Sequence, residues 1–120
     1  MEFSQQENNQ NSIVSISDDT VDLGHSQLKT PCFISSSFSC EVTITDIKNI
    51  DKASLFPLIN KNSVDILIIG TGSLPKFLSG KQQVAIQQMG VGVESMNSES
   101  ACRSFNLLLS DVRNVGLLLL

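Results

Sequence analysis

Two groups of residues have the types and spacing for chemistry. The first is Gly70-Thr71-Gly72, which follows the apolar run Val64–Ile69 and precedes a helical pattern, with Glu94 closing the next apolar segment. A glycine turn between a buried strand and a helix, with an acid about twenty positions on, is the layout of a dinucleotide-binding unit. The glycines let backbone amides approach a pyrophosphate, and the acid meets a ribose hydroxyl. Two features weigh against that reading. Pro75 stands at the third glycine position, and the helix starts only near Ser79, so no helix N-terminus lies over the phosphates. The plainer account is a tight turn that needs positive φ at one or both glycines.

The second group is Arg103, Asn106 and Ser110, at i, i+3 and i+7 of a helical pattern, with Arg113 continuing the stripe. Two guanidinium groups flanking an amide can hold a carboxylate or phosphate through charge-assisted hydrogen bonds. If the glycine turn meets this helix, then Gly70, Thr71, Gly72, Arg103, Asn106 and Arg113 build one pocket for an anionic ligand. The architectural alternative has Asn106 bonded to a neighbouring backbone and the arginines solvated or paired with Glu99 or Asp111. A third feature is apolar. Leu107 falls on the exposed side of the helix, while Leu74, Pro75 and Phe77 lie in the loop after Gly72. Together they form a candidate patch for a protein partner, the alternative being singly scattered apolar residues.

The remaining reactive types lead to no catalytic constellation. His25 is the single histidine, which excludes a two-histidine zinc site and a serine triad of familiar spacing, and it reads as a solvated turn residue. Asp18, Asp19 and Asp22 lack the glycine and closing glutamate of a calcium loop and read as turn residues. Cys32, Cys40 and Cys102 are odd in number and have no CxxC spacing, so they read as reduced, mostly buried thiols with no adjacent His or Lys to activate them. No metal or cofactor is expected.

These groups must be positioned by a small domain. The chain has 120 residues, 41% hydrophobic and 17% charged, which suffices for one core without disulfide or metal staples. The net charge of −4, the scatter of basic residues from Lys29 to Arg113 and the lack of Trp and Tyr exclude a nucleic-acid binder. Residues 1–11 read as a flexible polar leader and 12–120 as a single domain. The leader has no apolar stretch and no basic residue precedes Lys29, so neither a secretory nor a mitochondrial targeting segment is expected. No apolar run approaches the ~20 residues of a spanning helix, so no membrane insertion is expected and the cytoplasm is the expected location.

Ile13–Ile16 and the segment around Phe33 and Ile34 read as strands, and Glu41–Asp46 alternates with period two, like a strand with one wet face. Asp51 or Ser54 then caps a helix containing Leu55, Phe56, Leu58 and Ile59, where Pro57 fits only within the first turn. Val64–Ile69 reads as a buried parallel strand, residues 79–89 as a helix stopped by Gly90, and Val91–Glu94 as a short strand. Asn97 or Ser98 caps the clearest helix, whose buried stripe is Ala101, Cys102, Phe105, Leu108, Leu109 and Val112. Val115–Leu120 closes as a buried strand. This order predicts an α/β fold with a strand-rich N-terminal half and a mixed sheet packed by helices.

Four separated motifs also carry a resemblance: Ile68-Ile69-Gly70-Thr71-Gly72, then Gly90-Val91-Gly92-Val93-Glu94-Ser95-Met96, then Ala101-Cys102-Arg103-Ser104-Phe105-Asn106-Leu107-Leu108, then Arg113-Asn114-Val115. Over residues 63–120 the chain resembles the family that includes mitochondrial complex I assembly factor 3 and small bacterial proteins of unassigned activity. The resemblance implies a three-layer α/β fold with a mixed central sheet and, from the mitochondrial members, a role in assembling the respiratory NADH dehydrogenase. It brings no catalytic residues. Phe105 stands where relatives often have tyrosine, and Asn97-Ser98 where they often have an aspartate-threonine pair. The expected function is therefore a non-catalytic protein-binding or assembly module, whose partners by resemblance include subunits of a membrane complex. The alternative is a binder of a small anionic ligand, or an enzyme, using the glycine turn with Arg103 and Asn106.

Overall fold

The computed structural model describes residues 11–111 and 114–120. Three short strands come first, β1 (Ser15–Ile16), β2 (Thr20–Asp22) and β3 (Gln27–Lys29), forming a small antiparallel sheet in that order. There follow β4 (Cys32–Ser35), β5 (Ser39–Glu41), a 3-10 turn (Ile47–Asn49), α1 (Lys52–Asn62), β6 (Ile66–Gly70), α2 (Gly80–Gln87), β7 (Gly92–Met96), α3 (Ser98–Leu108) and β8 (Val115–Leu119). The main sheet has the order β5-β4-β8-β6-β7. β4 is antiparallel to both its neighbours, while β8, β6 and β7 run parallel. The sheet is thus mixed, as expected.

The core lies on both faces of this sheet. On one face Ala101, Cys102, Phe105 and Leu109 of the α3 segment pack with Ile13, Val21, Leu23 and Leu28 of the N-terminal region. On the other, Leu55 and Ile59 of α1 and Ile86 of α2 pack with Phe33, Ile44, Ile50 and Leu78. β8 is the middle strand, with Leu117 and Leu119 turned to the first face and Leu118 to the second. All three are fully buried, each contributing about 2 kcal/mol of apolar burial. That is why a run of leucines is tolerated here: neither face of this strand meets water.

Side chains close the helix starts. The Asp51 carboxylate accepts from the Ser54 amide at 2.8 Å while Ser54 Oγ accepts from the Asp51 amide at 3.0 Å. Hydrogen bonding to the carboxylate, first from the Ser54 backbone and then from its side chain, holds the carboxyl below its usual range. Ser79 and Gln82 form the same reciprocal pair at α2. Gln82 Nε2 also donates to the Ile47 and Ile50 carbonyls at 2.9 and 2.8 Å, tying α2 to the 3-10 turn. Asn97 caps α3 by accepting from the Ser100 amide at 2.8 Å. Gly90 has φ of 80°, the left-handed stop expected there.

Several expectations are corrected. Of the period-two segment Glu41–Asp46, only Glu41 lies in a strand. The paired strand is the earlier β5, and its ladder ends where the Val42 amide donates to the Pro31 carbonyl, because Pro31 has no N–H to return. The chain then leaves the edge, although Ile44 is still buried. The pair β2–β3 was not foreseen, since each strand has only one buried apolar residue, Val21 and Leu28. Pro57 lies in the sixth position of α1, beyond the first turn. The carbonyl it leaves without a helix partner is that of Ala53, on an exposed residue. Of the leader expected over 1–11, Asn11 is described. It is buried, with its amide donating to the Ser36 carbonyl at 2.9 Å and its Nδ2 to the Ser35 carbonyl at 3.1 Å. Its Oδ1 is paired with His25 Nε2 at 2.8 Å, so the turn histidine is not merely solvated. Among the described residues no helix is long and apolar enough to cross a membrane.

Candidate functional site

The glycine turn sits where β6 ends beneath the start of α3. A Cβ on Gly70 would fall 2.7 Å from Leu119 Cδ2 and 3.1 Å from both Ala101 Cβ and the Ser98 Cα, so this glycine lets helix and sheet approach closely. Gly72 has φ of 85°, the positive value the turn requires. Thr71 is buried between them. Its Oγ1 lies 2.8 Å from the Leu74 carbonyl and 3.2 Å from that of Met96, and it accepts from the Lys76 amide at 3.0 Å. Its own amide donates to the Met96 carbonyl at 3.0 Å.

Gly72 is paired with Ser98 in both directions: the Gly72 amide donates to Ser98 Oγ, and the Ser98 amide donates to the Gly72 carbonyl, both at 2.8 Å. The turn amides that a phosphate would need therefore already have acceptors. A cavity of about 540 Å³ opens beside the turn, bounded by Asp18, Thr30, Gly72, Ser73, Ser98 and Glu99, with Ile16 and Leu120. Its described wall carries two carboxylates and no basic side chain, a lining that repels an anion. A smaller cavity of about 200 Å³ is bounded by Thr45, Asp46, Thr71, Lys76 and Leu120.

The polar residues of α3 divide between inside and outside. Asn106 is buried, its Oδ1 accepting from the Ile13 amide at 2.7 Å and its Nδ2 donating to the Ile13 carbonyl at 3.0 Å. Arg103 is exposed and lies 3.8 Å from Glu99. Ser110 Oγ donates to the Leu107 carbonyl at 3.0 Å. Arg113 lies outside the described residues. No group from these three side chains reaches the cavity wall beside Gly72.

The apolar candidates also divide. Leu74, Phe77 and Leu107 are exposed by 69%, 71% and 71%. Leu74 and Phe77 share the loop whose end, Leu78, is buried on the α1/α2 side. Leu107 is nine residues into α3, about 14 Å along its axis from the end bonded to Gly72. The expected single patch is thus two separate exposures.

Two of the three thiols, Cys32 and Cys102, are buried, and Cys40 is half-buried. Burial above all, with the charge of Glu41 added, pushes Cys32 up to about 12, and burial pushes Cys102 up to about 12. Ser98 and Asp18 are the site residues that sequence reasoning undervalued, as a cap and a turn residue. Their placement against Gly72 depends on strands far apart in the chain, which no local spacing records.

The arrangement of a mixed sheet with α3 seated on Gly70 can be compared with known proteins. A family model described as "Protein of unknown function (DUF498/DUF598)" matches residues 13–120. The chain belongs to this family. Among its relatives is the NADH dehydrogenase [ubiquinone] 1 alpha subcomplex assembly factor 3 of Xenopus tropicalis, 34% identical over 65 residues, which make up 54% of this chain and 35% of that protein. The 13 kDa major membrane protein of Francisella tularensis is 36% identical over 80 residues, 64% of this chain and 62% of that protein. The chain thus spans about a third to three fifths of the length of these curated relatives. The same fold is seen in a crystal structure of a protein from Bordetella parapertussis, with a TM-score of 0.82 at 22% identity over 96% of this chain and 98% of that one. The resemblance to proteins of the assembly factor 3 family therefore holds.

Proposed function

We propose that this chain is a non-catalytic, assembly-type module that acts through protein contacts. The observation that carries the reading is the 34% identity to a complex I assembly factor. The structure supports it by what the candidate site lacks. Gly72 and Ser98 satisfy one another, Asn106 holds Ile13, and Arg103 faces Glu99. Contact with a partner is assigned to the exposed apolar side chain of Leu107 on α3. The partner class is a protein, with subunits of a membrane-bound complex as the leading candidates.

The test is quantitative cross-linking of the tagged full chain in its native host, followed by mass spectrometry. A stoichiometric partner lost on Leu107→Asp and kept on Arg103→Ala supports the reading. A bound small molecule lost on Arg103→Ala, with no protein partner, would return the anionic-ligand alternative to first place. The bonding and the acidic cavity wall weigh against that alternative.

A further inference from the structure

Exposed apolar side chains and charge are both unevenly divided between the two outer layers. Among the described residues, four of the five large apolar side chains left in solvent belong to the α1/α2 layer or the loop that enters it. They are Phe56 and Val84, 56% and 54% exposed, with Leu74 and Phe77. Each cluster has a lysine beside it. Lys52 stands four residues before Phe56 on α1 and Lys81 three before Val84 on α2, spacings that make helix neighbours. Lys76 adjoins Phe77, and Lys48 lies in the 3-10 turn to which Gln82 of α2 is bonded.

The charge follows the same division. Residues 42–93 hold five lysines against three aspartates, whereas the rest of the chain holds three basic residues against nine acidic ones. Of the three aspartates, Asp46 and Asp51 cap helix starts, and Asp65 accepts from the Asn114 amide at 3.1 Å, at the start of β6 and away from the glycine turn. This layer is therefore net positive in a chain of net charge −4. The loop is also held in place: Thr71 bonds Leu74 and Lys76, and Leu78 is buried, so Leu74 and Phe77 stand outward on a fixed support.

We infer that the α1/α2 face, with Leu74 and Phe77, docks on an anionic lipid surface. Its apolar residues are spread over two helices and a loop, and none of them lines a described cavity. That distribution suits a broad, shapeless surface of negative headgroups over a shaped acidic peptide. Lysines meet the headgroups, the short apolar tips enter the interface, and the acidic layer of α3 turns away. The inference goes beyond the protein-contact reading and does not depend on it, since Leu107 lies on the opposite layer.

The experiment is co-sedimentation of the full chain with vesicles of phosphatidylcholine alone and of an equal mixture with phosphatidylglycerol, at low and high salt. Binding is expected on the mixed vesicles and is expected to fall at least about tenfold on phosphatidylcholine or at high salt. Lys76→Glu with Lys81→Glu is expected to lower the partition at least about tenfold. Leu74→Ser with Phe77→Ser weakens it, and Leu107→Ser leaves it unchanged. All these positions are exposed, and an unchanged melting curve confirms the fold of each variant. Failure to bind either vesicle, equal binding to both, or full binding by the lysine variant would overturn the lipid assignment, as would an acidic peptide taken up by this face in its place. The Leu107→Asp cross-linking result would stand whatever the vesicles showed.

Discussion

Ser98 and Gly72 hold one another by two hydrogen bonds of 2.8 Å, one through the serine hydroxyl and one through the serine amide. This joins the end of β6 to the first turn of α3, a junction where related topologies leave amides open for a ligand. Replacing Ser98 with Ala removes the hydroxyl acceptor and leaves the Gly72 amide short of a partner. A loss of about 1 kcal/mol in unfolding free energy is expected by urea titration.

Gly70 is the more demanding position. A methyl group there would meet the Leu119 side chain at 2.7 Å and the Ser98 backbone at 3.1 Å, and the backbone contact cannot swing away. Gly70→Ala is expected to destabilise by about 1–3 kcal/mol, read as a lower denaturation midpoint with an unchanged slope.

Asn106 and Arg103 are expected to differ sharply. Asn106→Ala orphans the Ile13 amide and carbonyl in a buried place and should cost about 3 kcal/mol. Arg103→Ala breaks an exposed pair 3.8 Å apart and should change stability by less than about 0.5 kcal/mol. Equal effects in parallel melts would contradict the bonding described.

The buried thiols make a pH prediction. The folded state keeps Cys32 and Cys102 protonated up to about 12, against an ordinary value of 9.0. Above 9 the unfolded chain loses these protons first, so it binds fewer protons than the folded one and stability falls with rising pH. The contribution is full below about 9 and is lost progressively towards 12. In an alkylation assay near neutral pH, half-buried Cys40 should react first. Cys32 and Cys102 should react only on unfolding.

Much of the second half of the fold was legible in local pattern. The stripe of Ala101, Cys102 and Phe105 points inward at helical spacing, Ser79 and Asn97 cap as their side chains allow, and Gly90 ends its turn left-handed. The first half was less so. Strands of two or three residues with one buried side chain each, such as β2 and β3, present no period to detect. At Glu41–Asp46 the alternation was real, but a strand also needs a partner, and Pro31 ended the ladder.

The residue order alone established the family, the mixed α/β class and the identity of the polar and apolar candidates, because periodicity, caps and glycine turns are local properties of a chain. Their roles were decided by tertiary packing. Asn106 became a clamp on Ile13 because β1's approach lies next to α3, and Gly72 lost its open amide because Ser98 came within hydrogen-bond reach. Likewise Leu74 and Leu107 parted because the sheet lies between the layers that carry them. Hydrogen bonds act over about 3 Å, and a sequence does not state which distant residues will come within that distance.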